Sequence, residues 1–231
     1  MGCTKHFRIN NRKDWLMQKN VDMSKAYFLV NGENYNLKDD KRLLIPYIQD
    51  GKTGLVTRQG EIKIEACYYD YIISDCYTEK DLIRVGRNYA FGYLQENGKI
   101  KVYNGTKWGI MDAKCNLLIP VEYDRIIISD DKKLLTVKNR PSHHAVINMK
   151  NEHIVPFGKY QWISGFWKGY ARVMISLSSS IRQWGIINSI GDEVLPLEYK
   201  EIWDFYGRNT QSTTIVKNNG ETFEFSLCQT Y

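Results

Sequence analysis

Proline is scarce in this chain, at five in 231 residues, and histidine scarcer still at four. Long apolar runs are missing altogether: no stretch approaches the roughly 18 residues that a membrane-spanning helix requires. The start, Met1-Gly2-Cys3-Thr4-Lys5-His6-Phe7-Arg8, carries charge but no apolar segment behind it, so an export signal is not expected. An acyl anchor is not expected either, because His6 stands where myristoylation requires Ser or Thr. The cysteines (Cys3, Cys67, Cys76, Cys115, Cys228) are odd in number and never in Cys-x-x-Cys spacing. Neither a disulfide framework nor a zinc site follows from them, and they read as reduced thiols of a cytoplasmic protein. Catalytic fingerprints are absent too: there is no Gly-x-Ser-x-Gly, P-loop, His-Glu-x-x-His or dinucleotide motif. The expectation is a protein without enzymatic activity, cofactor or metal.

What is present is aromatic residues and repetition. Sixteen Tyr, six Trp, eight Phe and seventeen Gly suit strands and tight turns. Lys107-Trp108-Gly109-Ile110-Met111-Asp112 returns 76 residues later as Gln183-Trp184-Gly185-Ile186-Ile187-Asn188. In both copies a Pro (Pro120, Pro196) follows eleven residues after the Gly and a Tyr (Tyr123, Tyr199) fourteen after it. Self-similarity over such a span marks a repeat architecture. With that Gly as zero, weaker copies start at Gly54 and Ala145, and a partial one at Gly92, giving spacings of 38, 17, 36 and 40.

The offsets have physical content. Asp or Asn at +3 with Gly or Asn at +6 is the pattern of a type I turn closed by a left-handed residue, as in a bulged hairpin. Cys115 is the exception at +6 and should carry some strain. Trp108–Asp112 and Leu117–Ile119 then form a hairpin that Pro120 ends, since proline cannot donate to a ladder. Arg125–Ser129 and Leu134–Asn139 add two strands around the charged turn Asp130–Lys133, and Thr214–Phe225 forms a hairpin turning at Asn218-Asn219-Gly220. A Gly inside a strand is costly unless something must approach it closely, which predicts an aromatic ring of a neighbouring unit lying over the Trp-Gly glycine. The predicted fold is all-β: tandem four-stranded antiparallel units in a propeller-like or open spiral array over 27–231, with units near 52–90, 91–106 (partial), 107–142, 143–182 and 183–231. It follows a basic N-terminal arm over 1–26 with a weakly helical stretch at Asp14–Asn20.

At these residues the chain resembles the WG-repeat family, whose units read approximately Lys-Trp-Gly-Tyr-Ile-Asp, a turn Gly, an apolar pair with Pro, then Tyr-Asp and Ile. The resemblance covers roughly residues 42–205. Departures are Thr53-Gly54 and His144-Ala145 for Trp-Gly, and Lys200 for Asp. The family implies a β-rich scaffold and brings no catalytic residues with it.

Three groups of residues are candidates for function. Trp167, Trp203, Phe205 and Tyr206, with Arg172 and Arg208 beside them, fall in connections between units, where they either present a protein-binding surface or staple one unit to the next. The arm holds six cations (Lys5, Arg8, Arg12, Lys13, Lys19, Lys25) against two acids, which is +4 of the net +6, and could lie on nucleic acid. His143, His144 and His153 share one unit, but a hairpin pairing Asn148 with His153 sets the first two far along the strand, which disfavours a shared metal. The leading expectation is a cytoplasmic protein-interaction module that recognises or neutralises a partner protein such as a toxin or effector. The alternatives are glycan or cell-envelope binding through exposed aromatics, and nucleic-acid binding through the arm.

Overall fold

The computed structural model describes residues 27–28, 41–74, 76–94, 99–139, 143–204 and 211–227. These residues are all-β and contain no helix. Among the described residues nineteen strands form five antiparallel sheets in chain order. The first sheet is β1 (Tyr27–Phe28), β2 (Ile45–Gln49), β3 (Lys52–Val56) and β4 (Ile62–Tyr69). The second is β5 (Tyr71–Ile73), β6 (Leu82–Leu94), β7 (Ile100–Asp112) and β8 (Leu117–Tyr123). The third is β9 (Arg125–Ile128), β10 (Leu134–Asn139), β11 (His143–Asn148) and β12 (His153–Tyr160). The fourth is β13 (Trp162–Ile163), β14 (Tyr170–Ser176), β15 (Arg182–Asn188) and β16 (Glu193–Tyr199). The last has three strands, β17 (Glu201–Ile202), β18 (Ser212–Val216) and β19 (Thr222–Ser226).

The strand pairing divides the chain elsewhere than the sequence units do. A single residue (Asp70, Asp124, Gln161 or Lys200) separates the last strand of one sheet from the first of the next. The sequence-read unit starts at 52, 107, 143 and 183 fall instead at or within third strands. The partial unit at 91–106 is no unit of its own: β6 and β7 pair without interruption from Leu82↔Asp112 to Leu94↔Ile100 and form one long ribbon.

The repeat turns are as the offsets predict. Cys115, Asn151, Gly60 and Gly191 all have positive φ, at 65°, 64°, 85° and 89°. The side chain at +3 holds each loop: Asp112 Oδ1 accepts from the Lys114 and Asn116 N–H groups, and Asn148 and Asn188 do the same in their turns. Pro120, however, does not end its strand. Trp108 faces Tyr123 and Ile110 faces Ile119, so two extra residues are accommodated in a bulge at the proline, one of the few sheet positions that needs no N–H donor.

That bulge also accounts for the glycine. A Cβ on Gly109 would lie 2.5 Å from the Ile119 carbonyl oxygen, and one on Gly185 2.7 Å from that of Leu195. The close approach therefore comes from the backbone of the next strand in the same sheet, not from a ring of a neighbouring unit. Only Gly54 meets a ring there, that of Tyr47, again within its own sheet.

The sheets pack face to face in sequence, each interface with its own core. Side chains on a strand alternate sides, so the third strand of a sheet serves two cores at once. Ile110 joins Ile126, Leu135 and Val137 in the core shared with the third sheet, while Met111 faces back to Leu55, Ile72 and Ile83. Val146 and Ile147, then Ile186 and Ile187, divide the same way.

Candidate functional site

Between the sheets, each repeat contributes a small set of polar ties. Lys52 pairs with Asp70 at 2.5 Å and Lys107 with Asp124 at 2.9 Å, joining the position two before the glycine to the corner residue. The later units lack both partners together: His143 goes with Gln161 and Gln183 with Lys200. Burial raises the pKa of Asp70, but the Lys52 ammonium and the Asn88 N–H outweigh it and hold the carboxyl below its usual value. The corner tyrosines reach forward: Tyr123 donates to Asn151 and Tyr160 to Glu193 in the next turns, each at 2.7 Å. Burial, helped by Glu122 and opposed by Asn151, pushes the Tyr123 phenol up to about 12. Asp81 accepts from Lys132 at 2.6 Å, tying the second sheet to the third, and that bond with the Thr78 and Tyr77 N–H groups holds its carboxyl down at about 2.

The sequence candidates separate on this frame. Arg172 is built into the stack. Its guanidinium lies 5.4 Å from the centroid of Trp162 and 5.8 Å from that of Trp184, donates to the Ile202 carbonyl at 2.9 Å and pairs with Asp204 at 3.1 Å. It staples the fourth sheet to the fifth. Trp167 is half-buried beside a two-residue turn, where Lys168 and Gly169 take positive φ and the Lys168 N–H donates to Asp130 of the third sheet. Trp203 is different: its backbone is fixed by Thr213 and Thr214 while its indole is 55% exposed. Phe205, Tyr206 and Arg208 lie outside the described residues, as do the arm cations Lys5, Arg8, Arg12, Lys13, Lys19 and Lys25 and the Asp14–Asn20 stretch.

The histidines do not converge. Ile147, not Asn148, faces His153, one position from the expected register, because the strand is bulged. His143 is exposed at the far end, and His153 lies edge-on to Phe157. His144 is buried, and its Nδ1 lies 2.8 Å from the Ile163 backbone nitrogen and 3.0 Å from the Ile163 carbonyl oxygen, so the tautomer decides whether it accepts or donates. Burial lowers its pKa, with Lys138 and Arg125 acting the same way against the hydrogen bond to the Ile163 carbonyl. Among the described residues no three His, Cys, Asp or Glu side chains stand where they could hold one metal ion.

Two surface features had no sequence signal of their own. The first is the ribbon formed by the outer parts of β6 and β7, beyond the ends of β5 and β8. Ile100 and Val102, two residues apart on one face, are 68% and 61% exposed. At its base Tyr89 lies over Gly105, donates to Asp124 at 2.9 Å and is faced by Lys107, so the ribbon is braced on the corner next to the third sheet. The second is a cleft of about 540 Å³ between the second and third sheets, lined by Ile73, Leu82, Arg84, Trp108, Arg125 and Ile126–Ile128. A ring alternation and an apolar run mark these strands in the sequence, but nothing there shows that one hairpin outgrows its sheet or that one interface stays open.

Comparison with known proteins bears on the repeat. Residues 146–176 and 184–221 are similar to the family described as WG containing repeat. No curated protein matches the chain. Among the described residues no helix is long and apolar enough to cross a membrane.

Proposed function

We infer that this WG-repeat chain is a non-enzymatic interaction module that binds a partner protein, with the β6–β7 ribbon as its principal contact. The observation that carries the reading is the ribbon itself: a paired two-stranded arm standing out from its sheet with Ile100 and Val102 exposed on one face. Exposed apolar side chains on a protruding, unshielded ribbon fit a protein contact, where they are covered on binding, and they give nucleic acid little to hold. Trp203 is a second anchor of the same kind, since exposed Trp is enriched at the centres of interfaces. Recognition or neutralisation of a toxin or effector, in the cytoplasm that the scattered cysteines suggest, is the finer form of this proposal.

The test is affinity capture of the tagged full chain from its native cells with nuclease present, followed by mass spectrometry. It is repeated with a variant in which Ala90–Asn104 is replaced by an Asn-Gly turn. A stoichiometric protein captured by the native chain and lost with the trimmed one supports the reading. Recovery of no stoichiometric protein, or of the same protein by both forms, overturns it.

A further inference from the structure

The interfaces between successive sheets can be superposed by register, and one of them is incomplete. In the fourth sheet Arg172 faces Ile186 across the pair, with Trp162 on the first strand and Trp184 on the third. Arg84 occupies the same place in the second sheet: it faces Ile110, with Tyr71 on the first strand and Trp108 on the third. Tyr71 and Trp108 even stack on each other, at 6.1 Å. Counting from the first strand of the following sheet, Asp204, which pairs with Arg172, corresponds to Ile128. The acid that completes the staple at the fourth interface is therefore replaced by an aliphatic side chain at the second.

The other interfaces are closed from within. Between the first and second sheets Thr53 donates to the Asp70 carbonyl at 3.0 Å and Ser74 to that of Leu44 at 3.1 Å. Between the third and fourth, Thr136 donates to the Ser164 carbonyl at 2.8 Å beside His144 and Ile163. Between the second and third sheets, beside their shared core and the Asp81–Lys132 pair, lies the open cleft. Among the described residues neither Arg84 nor Arg125 has a hydrogen-bonding or ionic partner, and both are exposed. Arg125 moreover faces Lys138 directly across the ladder, a like-charge pair that costs stability when nothing neutralises it.

We propose that this cleft binds a carboxylate side chain from an acidic segment of a protein partner, which supplies from outside the acid that Asp204 supplies from inside at the fourth interface. Two guanidiniums at the rim can each take a carboxylate through a paired fork of N–H donors. The walls of Ile73, Ile128 and Trp108 give the stem of a Glu, or an apolar neighbour in the same segment, a surface to cover. The cleft thus suits an acidic stretch carrying apolar residues better than an inorganic anion or a phosphate backbone, neither of which has anything to place against the isoleucines. The proposal rests on the reading of the chain as a protein-binding module.

The experiment titrates the full chain with a short polyglutamate peptide, following Arg side-chain and Trp108 indole signals by NMR, with polyglutamine, inorganic phosphate and an RNA oligomer as controls. The variants are Arg84→Gln, Arg125→Gln and Ile128→Asp, each checked for an unchanged melting profile. Ile128→Asp rebuilds the internal pair and should occupy Arg84; because Ile128 packs against the shared core, its melting profile must match the native chain's for the result to count, and Arg84→Gln and Arg125→Gln carry the test otherwise. The expected result is saturable binding of polyglutamate that weakens by roughly tenfold or more in each variant. Binding that ignores all three variants, or a preference for phosphate or RNA, overturns the proposal. The same variants are then used in the partner capture: a partner lost on trimming the ribbon but retained by Arg84→Gln and Ile128→Asp refutes the cleft while leaving the interaction reading intact.

Discussion

At the scale of single residues, the informative positions are polar groups placed where the stack gives them one partner each. His144 stands where the strong repeats have Trp and is buried beside the Ile163 backbone, so its charged form is disfavoured. Its pKa is lowered in the folded chain, so the unfolded chain takes up a proton that the folded one resists. The stability it contributes is present above the unfolded value of about 6.5 and is lost as the pH falls through the lower folded value. Melting curves between pH 7.5 and pH 5 should show the native chain losing more stability than a His144→Gln variant does. Equal slopes would mean that His144 is not held neutral.

At the scale of the hairpin, the repeat glycine is governed by how closely a carbonyl oxygen of the bulged strand approaches it. The Gly109 and Gly185 bulges hold two extra residues and bring a carbonyl oxygen onto the glycine. At Ala145 the bulge between His144↔Tyr160 and Val146↔Val155 carries a methyl group, whereas the bulge of the same size in the first sheet would still bring the Ile64 carbonyl oxygen within 2.5 Å of a Cβ on Gly54. Gly109→Ala should therefore destabilise by about 1–3 kcal/mol, as overpacking against a backbone that cannot yield. Ala145→Gly should cost only about 0.5–1 kcal/mol, through backbone entropy. Chemical denaturation of the two variants decides this, and a smaller loss for Gly109→Ala would refute the bulge argument. The same element explains which sequence expectations failed. The Pro at +11 was legible but its role was not, because a strand end and a bulge make the same demand for a residue without an N–H.

At the scale of the whole molecule, the stack needs an end that does not attract another sheet. Exposed β surfaces are liable to pair or stack, and repeat arrays are closed off by polar terminal units. Among the described residues the last sheet has three strands, and its side away from the core carries Ser212, Thr214 and Glu224 bonded to one another, with both hydroxyls donating to the carboxylate. On the other side Thr213 and Ile215 are buried against the fourth sheet. Replacing Ser212, Thr214 and Glu224 together by Val would make this face match the apolar faces inside the stack. Sedimentation velocity should then show the variant associating at concentrations where the native chain does not. A variant that sediments like the native chain would mean that this face is not what ends the stack.

The sequence by itself determined the period, the turn chemistry and the all-β class, because these depend on local rules: a positive φ at +6, an Asx side chain at +3, and alternation of apolar residues along each strand. The tertiary structure alone decided where one sheet ends and the next begins. A periodic sequence defines a spacing but no phase, and only the ladder hydrogen bonds place the break at the residue after each corner Tyr. For the same reason Arg172 and Arg84 look alike in the chain, yet one is a closed staple and the other stands open, because the residue that completes the pair comes from the following sheet, about thirty to forty-five positions later.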